Sequence, residues 1–223
     1  MTDKPAINAV LFDLDGTLLD TAADLAHALN NLRKVRQLPL IPLEKIRPEA
    51  GRGCQGLLKM GFDMDMSHPD YDSFSEELLN YYHSHLCDNT DLFTGMPEVL
   101  TYLEQHAIPW GIVTNKPQRF TQQLVEHIPA LSKTNCIISG DSLTNRKPHP
   151  EPILHACALL KQKPQDCLYV GDSEIDIIAS RAAGTPVLAA LYGYIGVDEN
   201  PQQWGADGYI EHPAEIISWI LER

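Results

Sequence analysis

The stretch Val10-Leu11-Phe12-Asp13-Leu14-Asp15-Gly16-Thr17-Leu18-Leu19-Asp20 carries the reading of this chain. The apolar run at 9–12 has the length and character of a strand buried on both faces. It ends in two carboxylates two residues apart, which extended backbone points to the same side. Two close carboxylates repel each other unless a cation or a shared proton relieves them. Gly16 permits a tight backbone approach, and Thr17 adds a hydroxyl. The pattern suits a hard-metal site with a nucleophilic Asp beside a second Asp that moves protons. An isolated Asp-x-Asp-Gly is equally well a strand and turn, with Asp as turn former.

Working outward, four further short apolar runs read as buried strands, at 110–113, 136–138, 167–170 and 187–190. Helical patterns at 119–127, 151–161, 174–183 and 214–221 lie between or after them, with Pro152, Pro213 and Gly184 as punctuation. Alternation of this kind predicts an α/β fold with a doubly wound parallel sheet, its ligands at the carboxyl ends of the strands. One region breaks the rhythm. Between the first strand and Trp110 some ninety residues pass without a strand pattern, too long for a bare connection. Leu25, Leu29 and Leu32 fall at helical spacing there, as do Leu78, Tyr82 and His85. Residues 21–24 read as a capping box, Thr first and Asp last. The expected organisation is a catalytic core of 1–19 and 92–223, with an α-helical cap subdomain inserted over 20–91 and hinges at 19–20 and 92–95.

Further polar groups sit where strands are expected to end. Thr114-Asn115 can offer a hydroxyl and amides to a phosphate, or simply cap a helix. Lys147, before Pro148, can neutralise a phosphate, or be a solvated loop charge. Gly171-Asp172-Ser173-Glu174-Ile175-Asp176 opens a helix. If it starts near Ser173, Asp172 and Asp176 share a side, with Asp172 a metal ligand and Asp176 ligating directly or behind it. Acidic capping of a helix start is the plainer explanation of the two acids.

Each plain explanation holds singly, but together and in this order these residues resemble the haloacid dehalogenase superfamily of aspartate-nucleophile phosphohydrolases. The resemblance spans the chain: residues 12–17 match the first motif, Thr114-Asn115 the second, Lys147-Pro148 the third, and residues 171–176 the fourth. A finer resemblance is to the phosphoglycolate phosphatase-like branch. Within it the stretches Tyr192-Gly193-Tyr194-Ile195, Asn200-Pro201 and Trp204-Gly205-Ala206-Asp207 are similar to N-acetylmuramic acid 6-phosphate phosphatases. The resemblance implies a two-step hydrolysis of a small phosphate ester. Asp13 would attack phosphorus, and Asp15 would protonate the leaving alcohol and then take a proton from water. Mg2+ would be held by the Asp13 carboxylate, the Asp15 carbonyl and Asp172, with Asp176 close by. Thr114 and Lys147 would contact the phosphoryl oxygens, with Asn115 beside them. A sugar phosphomutase, a haloalkanoate dehalogenase and a phospho-Asp switch are the competing readings. The substrate is expected to be N-acetylmuramic acid 6-phosphate, in cell-wall sugar recycling, or phosphoglycolate.

Gly51-Arg52-Gly53-Cys54-Gln55-Gly56 spells a dinucleotide fingerprint, but no strand precedes it. It reads instead as a flexible cap loop whose Arg52, or Arg47 nearby, could meet a substrate carboxylate. Met60, Met64 and Met66 read as packing, and His83, His85 and His106 as surface or half-buried residues. The chain has 223 residues, 43% of them hydrophobic and 21% charged, with a formal net charge of −13. Such an acidic body makes nucleic acid and anionic membrane unexpected partners. No apolar run approaches the roughly 20 residues of a membrane span, and Met1-Thr2-Asp3-Lys4-Pro5 does not read as a signal peptide. Five cysteines without a Cys-x-x-Cys pair suggest reduced, mostly structural thiols in a cytoplasm. A monomer or homodimer is expected.

Overall fold

The structure is a computed structural model and describes residues 6–222; the N-terminal reading at 1–5 lies outside the described residues. The decisive strand, β1 (Ala9–Phe12), lies at the centre of a six-stranded parallel sheet, and all four of its residues are fully buried. Its neighbours are β4 (Trp110–Val113) and β6 (Cys167–Gly171). Outside them lie β5 (Cys136–Ile138) on one side, and β7 (Val187–Ala190) then β8 (Gly208–Ile210) on the other. Val10 and Phe12 face one hydrophobic cluster and Ala9 and Leu11 the other, as the alternation of a strand covered on both faces requires. The second cluster is closed by α7 (Glu151–Leu159) and α8 (Glu174–Ala183), through Ile153, Ala156, Ile177 and Ala179. The first takes residues of α5 (Met96–Gln105), α6 (Gln118–His127) and α9 (Glu215–Leu221). The connection turns one way from β1 to β4 and the other way to β6, which places the topological switch at the carboxyl end of β1.

After β1 the chain forms β2 (Leu19–Asp20), which pairs antiparallel with β3 (Asp91–Leu92). This two-residue ribbon joins four inserted helices to the sheet: α1 (Ala22–Val35), α2 (Leu43–Ala50), α3 (Gly53–Phe62) and α4 (Tyr71–Ser84). Leu25, Leu29, Leu32, Leu57, Leu58, Leu78 and Tyr82 bury the inner faces of α1, α3 and α4. That cluster continues into the sheet's own core through Leu14, Leu18 and Leu19, so the insertion and the sheet share apolar packing.

Three local expectations change. Residues 51–56 are not a flexible loop, since α3 begins at Gly53 and its backbone bonds absorb most of the Gly-rich stretch. Thr21 precedes α1 but forms no cap, and Asp24 accepts hydrogen bonds from Asn89 and Thr90 instead. The Met residues divide: Met64 is buried, Met60 is half-buried against the core, and Met66 is exposed. All five cysteines are free. Among the described residues no helix is long and apolar enough to cross a membrane.

Candidate active site

Asp13 leaves the end of β1, where its N–H donates to Val170 O at 2.9 Å and so stays in register with β6. Its Oδ1 accepts the Leu14 N–H at 2.7 Å and meets Lys147 Nζ at 3.0 Å. Asp172 lies just beyond β6 and is buried. Its Oδ1 accepts Thr17 Oγ1 at 2.9 Å, and its Oδ2 accepts the Tyr194 N–H at 2.8 Å. Gly16 runs between these acids at φ 82°, a left-handed conformation, and a Cβ there would overlap the Asp172 carboxylate. Ser173 caps α8 in a capping box with Asp176, so the helix starts where the sequence suggested.

Asp13, Asp172 and Asp176 bring carboxylate oxygens within 4.8 Å of one another. Asp176 is already saturated. One oxygen takes Lys147 Nζ at 2.7 Å and Tyr169 Oη at 3.1 Å, the other the Ser173 N–H and hydroxyl. It holds Lys147 in place, while Asp13 and Asp172 retain the freedom to ligate. Lys147 is buried against Asp13, Asp176 and the Tyr169 hydroxyl. Burial raises the Asp13 carboxyl to about 6, and Asp176 adds to the rise while Lys147 opposes it. Burial also drives Asp172 well above the usual carboxylate range, with Asp13 and Asp176 adding their repulsion. Counted as ionised, three acids share one ammonium, 1 − 3 = −2, and the raised Asp13 and Asp172 carboxyls show how strongly the pocket resists that charge without a further cation. Carboxylate oxygens in this balance fit a hard divalent cation such as Mg2+.

Asp15 stands apart. Its side chain does not join the other three acids around Lys147, because it has its own cation. Lys116 Nζ donates to its two oxygens at 3.0 and 3.2 Å, and Thr21 Oγ1 donates to Oδ1 at 2.6 Å. Lys116 also donates to Tyr82 Oη, on α4 of the insertion, at 2.9 Å. Burial disfavours the Lys116 charge, but Asp15 and Tyr82 more than offset this and hold its pKa above the ordinary lysine value. Burial pushes the Tyr82 phenol up to about 12, so it stays protonated.

Thr114 is buried at the end of β4, and its Oγ1 accepts the Lys116 N–H at 3.1 Å, leaving the hydroxyl hydrogen to donate elsewhere. Asn115 uses its amide to hold the Lys147 carbonyl at 2.9 Å, and its Oδ1 is buried without a partner among the described residues. Arg52 is not directed at this pocket. It is half-exposed and pairs with Glu49 and with Glu199. Arg47 likewise pairs with Asp20 at 2.8 Å. Sequence reasoning did not assign Lys116, Tyr82, Tyr169 or Tyr194. Lys116 follows Thr114-Asn115 directly and could have been weighed with them. Tyr194 lies in a stretch with no local signal of its contacts, yet its N–H holds Asp172 and its hydroxyl donates to Asp20.

A parallel α/β sheet with an acidic pocket and a buried lysine at its switch point is the architecture of a phosphoryl-transfer or hydrolase enzyme. The chain belongs to the haloacid dehalogenase-like hydrolase family, whose profile matches residues 10–190. Its relatives include an N-acetylmuramic acid 6-phosphate phosphatase of Pseudomonas aeruginosa, 36% identical over 97% of this chain and 96% of that one. A phosphoglycolate phosphatase of Xanthomonas campestris is 40% identical over 93% and 94%. The crystal structure of a predicted phosphoglycolate phosphatase from Haemophilus somnus superposes with TM-score 0.83 at 28% identity, covering 96% of this chain and 97% of that one. The protein is a phosphatase of this family.

Proposed function

We propose that the protein hydrolyses a small, carboxylate-bearing phosphate monoester through an aspartyl-phosphate on Asp13, with Mg2+ bound. The observation that supports this best is the pocket of Asp13, Asp172 and Asp176, three carboxyls converging on the single ammonium of Lys147. Asp13 and Asp172 would hold the cation, joined by the main-chain carbonyl of Asp15, while Asp176 acts behind them. When bound, Mg2+ supplies positive charge against the nucleophile and the phosphoryl oxygens. Asp13 is fixed by the Leu14 N–H and Lys147 at one oxygen, and no hydrogen bond engages the other among the described residues. That second oxygen is the attacking atom in this reading. Lys147 and the Thr114 hydroxyl face the oxygens on which transition-state charge gathers. Asp15 gives its proton to the leaving alcohol and later takes one from water.

The inserted helices contribute Tyr82, which accepts from Lys116, the partner of Asp15, and in this reading they cover the leaving-group side. A small metabolite suits such a covered site better than a protein phosphosite. The two named relatives offer phosphoglycolate and N-acetylmuramic acid 6-phosphate, and both carry a carboxylate. The test is steady phosphate release from these two esters and from p-nitrophenyl phosphate. Activity should vanish on chelation and return with magnesium. Undiminished turnover in thoroughly chelated enzyme would reject the role given to the acid pocket, and a single turnover per chain would favour a phospho-Asp switch.

A further inference from the structure

Resting on the phosphatase reading above, we propose that Lys116 and Tyr82 form the binding site for a carboxylate on the leaving alcohol, next to the ester oxygen. Tyr82 is 1% exposed, and its only hydrogen-bond contact among the described residues is the one it accepts from Lys116. Its own hydroxyl hydrogen therefore has no acceptor there. A buried donor left unsatisfied costs about 1–3 kcal/mol, so such a group calls for a partner. The phenol cannot become an acceptor-only group by ionising, since burial keeps it protonated.

Position decides what that partner is. Lys116 touches Asp15, which in the proposed reaction faces the leaving oxygen. A substituent on the carbon bonded to that oxygen therefore arrives beside Lys116 and Tyr82. Lys116 is paired with Asp15 in the structure, but once Asp15 carries the proton it gives to the leaving alcohol, that ammonium charge has no counter-ion, and the Tyr82 hydroxyl hydrogen is free as well. A carboxylate, with one negative charge and two acceptor oxygens, answers both. The two arginines expected to meet it are already engaged, Arg47 by Asp20 and Arg52 by Glu49 and Glu199. The substrate class that follows is the phosphate ester of a 2-hydroxy acid, such as phosphoglycolate. N-acetylmuramic acid 6-phosphate carries its carboxylate across the sugar ring from the ester and does not present it at this place. Because Tyr82 belongs to the insertion and Lys116 to the sheet domain, such a carboxylate would join the two parts at the acid.

The experiment compares kcat/KM for 2-phosphoglycolate and 2-hydroxyethyl phosphate, which exchanges the carboxylate for a neutral CH2OH. Wild-type protein should prefer phosphoglycolate by about tenfold or more, equal to about 1.4 kcal/mol of transition-state binding. Tyr82→Phe keeps the ring against Phe120 at 5.5 Å and should collapse that ratio toward one, as should Lys116→Met. Should Lys116→Met not fold, the Tyr82→Phe ratio decides. A ratio near one in the wild type, or a wild-type ratio that survives Tyr82→Phe, overturns the assignment. So does a tenfold preference for N-acetylmuramic acid 6-phosphate over phosphoglycolate. These outcomes leave the phosphatase reading standing; only a failure to hydrolyse all of these esters and p-nitrophenyl phosphate removes both.

Discussion

Asp13 and Asp15 are two residues apart, yet they belong to two pockets of opposite character. Around Asp13, Lys147 stands alone among three carboxylates, and the acids are held by Leu14, Thr17, Ser173 and Tyr194. Around Asp15, a single carboxylate meets a lysine, a threonine hydroxyl and, through the lysine, a tyrosine hydroxyl. The first pocket is short of positive charge and invites a cation. The second is balanced while Asp15 is ionised, with the Tyr82 hydroxyl hydrogen left over, and takes an anion once Asp15 holds a proton. The chain leaves β1 at Phe12 and turns at 14–18, so the two side chains do not share the side that extended backbone would give them, and a metal and a leaving group can be served by neighbouring residues without competing for the same side chains.

The contrast is most easily broken at its cations. Lys147→Met would leave Asp13 and Asp176 buried without their ammonium, an arrangement that typically costs about 3–5 kcal/mol. Urea unfolding of metal-free protein should show a loss of that order, partly recovered by magnesium. A loss below about 1 kcal/mol would mean the pocket is not charge-starved. At the other extreme, Arg52 is 54% exposed at its side chain and pairs at the rim. Arg52→Ala should change stability and transition-state binding by less than about 1 kcal/mol, the usual worth of an exposed ion pair. A larger loss confined to carboxylate substrates would return Arg52 to the role first expected of it and weaken the claim made for Lys116.

What could be read in advance follows the same division. Asp13, Lys147, Asp172 and Asp176 were legible as a set through the order of the motifs that carry the family resemblance, since each alone had a plainer reading; the strand ends and a helix start then locate the three acids. The capping box at Ser173 is an example in which spacing alone gives the geometry. The second pocket was not legible. Lys116 and Tyr82 are 34 residues apart and meet only because α4 packs beside β4's end, which no local period reports. The ribbon of β2 and β3 escaped for the same reason: Leu19 and Asp20, pairing with Leu92 and Asp91 far along the chain, carry no alternation to detect. Arg52 misled because a glycine-rich run suggested a loop, where the chain forms the first turn of α3.

The central claim is that Asp13 takes the phosphoryl group. In Asp15→Asn protein the second step lacks its base, whereas p-nitrophenolate leaves without needing a proton, so the intermediate should build up. General acid–base catalysis is worth about 10²–10⁴-fold, and overall turnover should fall by that order. The direct measurement is acid quenching of Asp15→Asn with magnesium and p-nitrophenyl phosphate, followed by mass analysis of the peptide containing residue 13. A phosphoryl group on Asp13, absent from a parallel Asp13→Asn sample, is the predicted result. Continued phosphate release by Asp13→Asn, or a quenched phosphoryl group on any other residue, would contradict it.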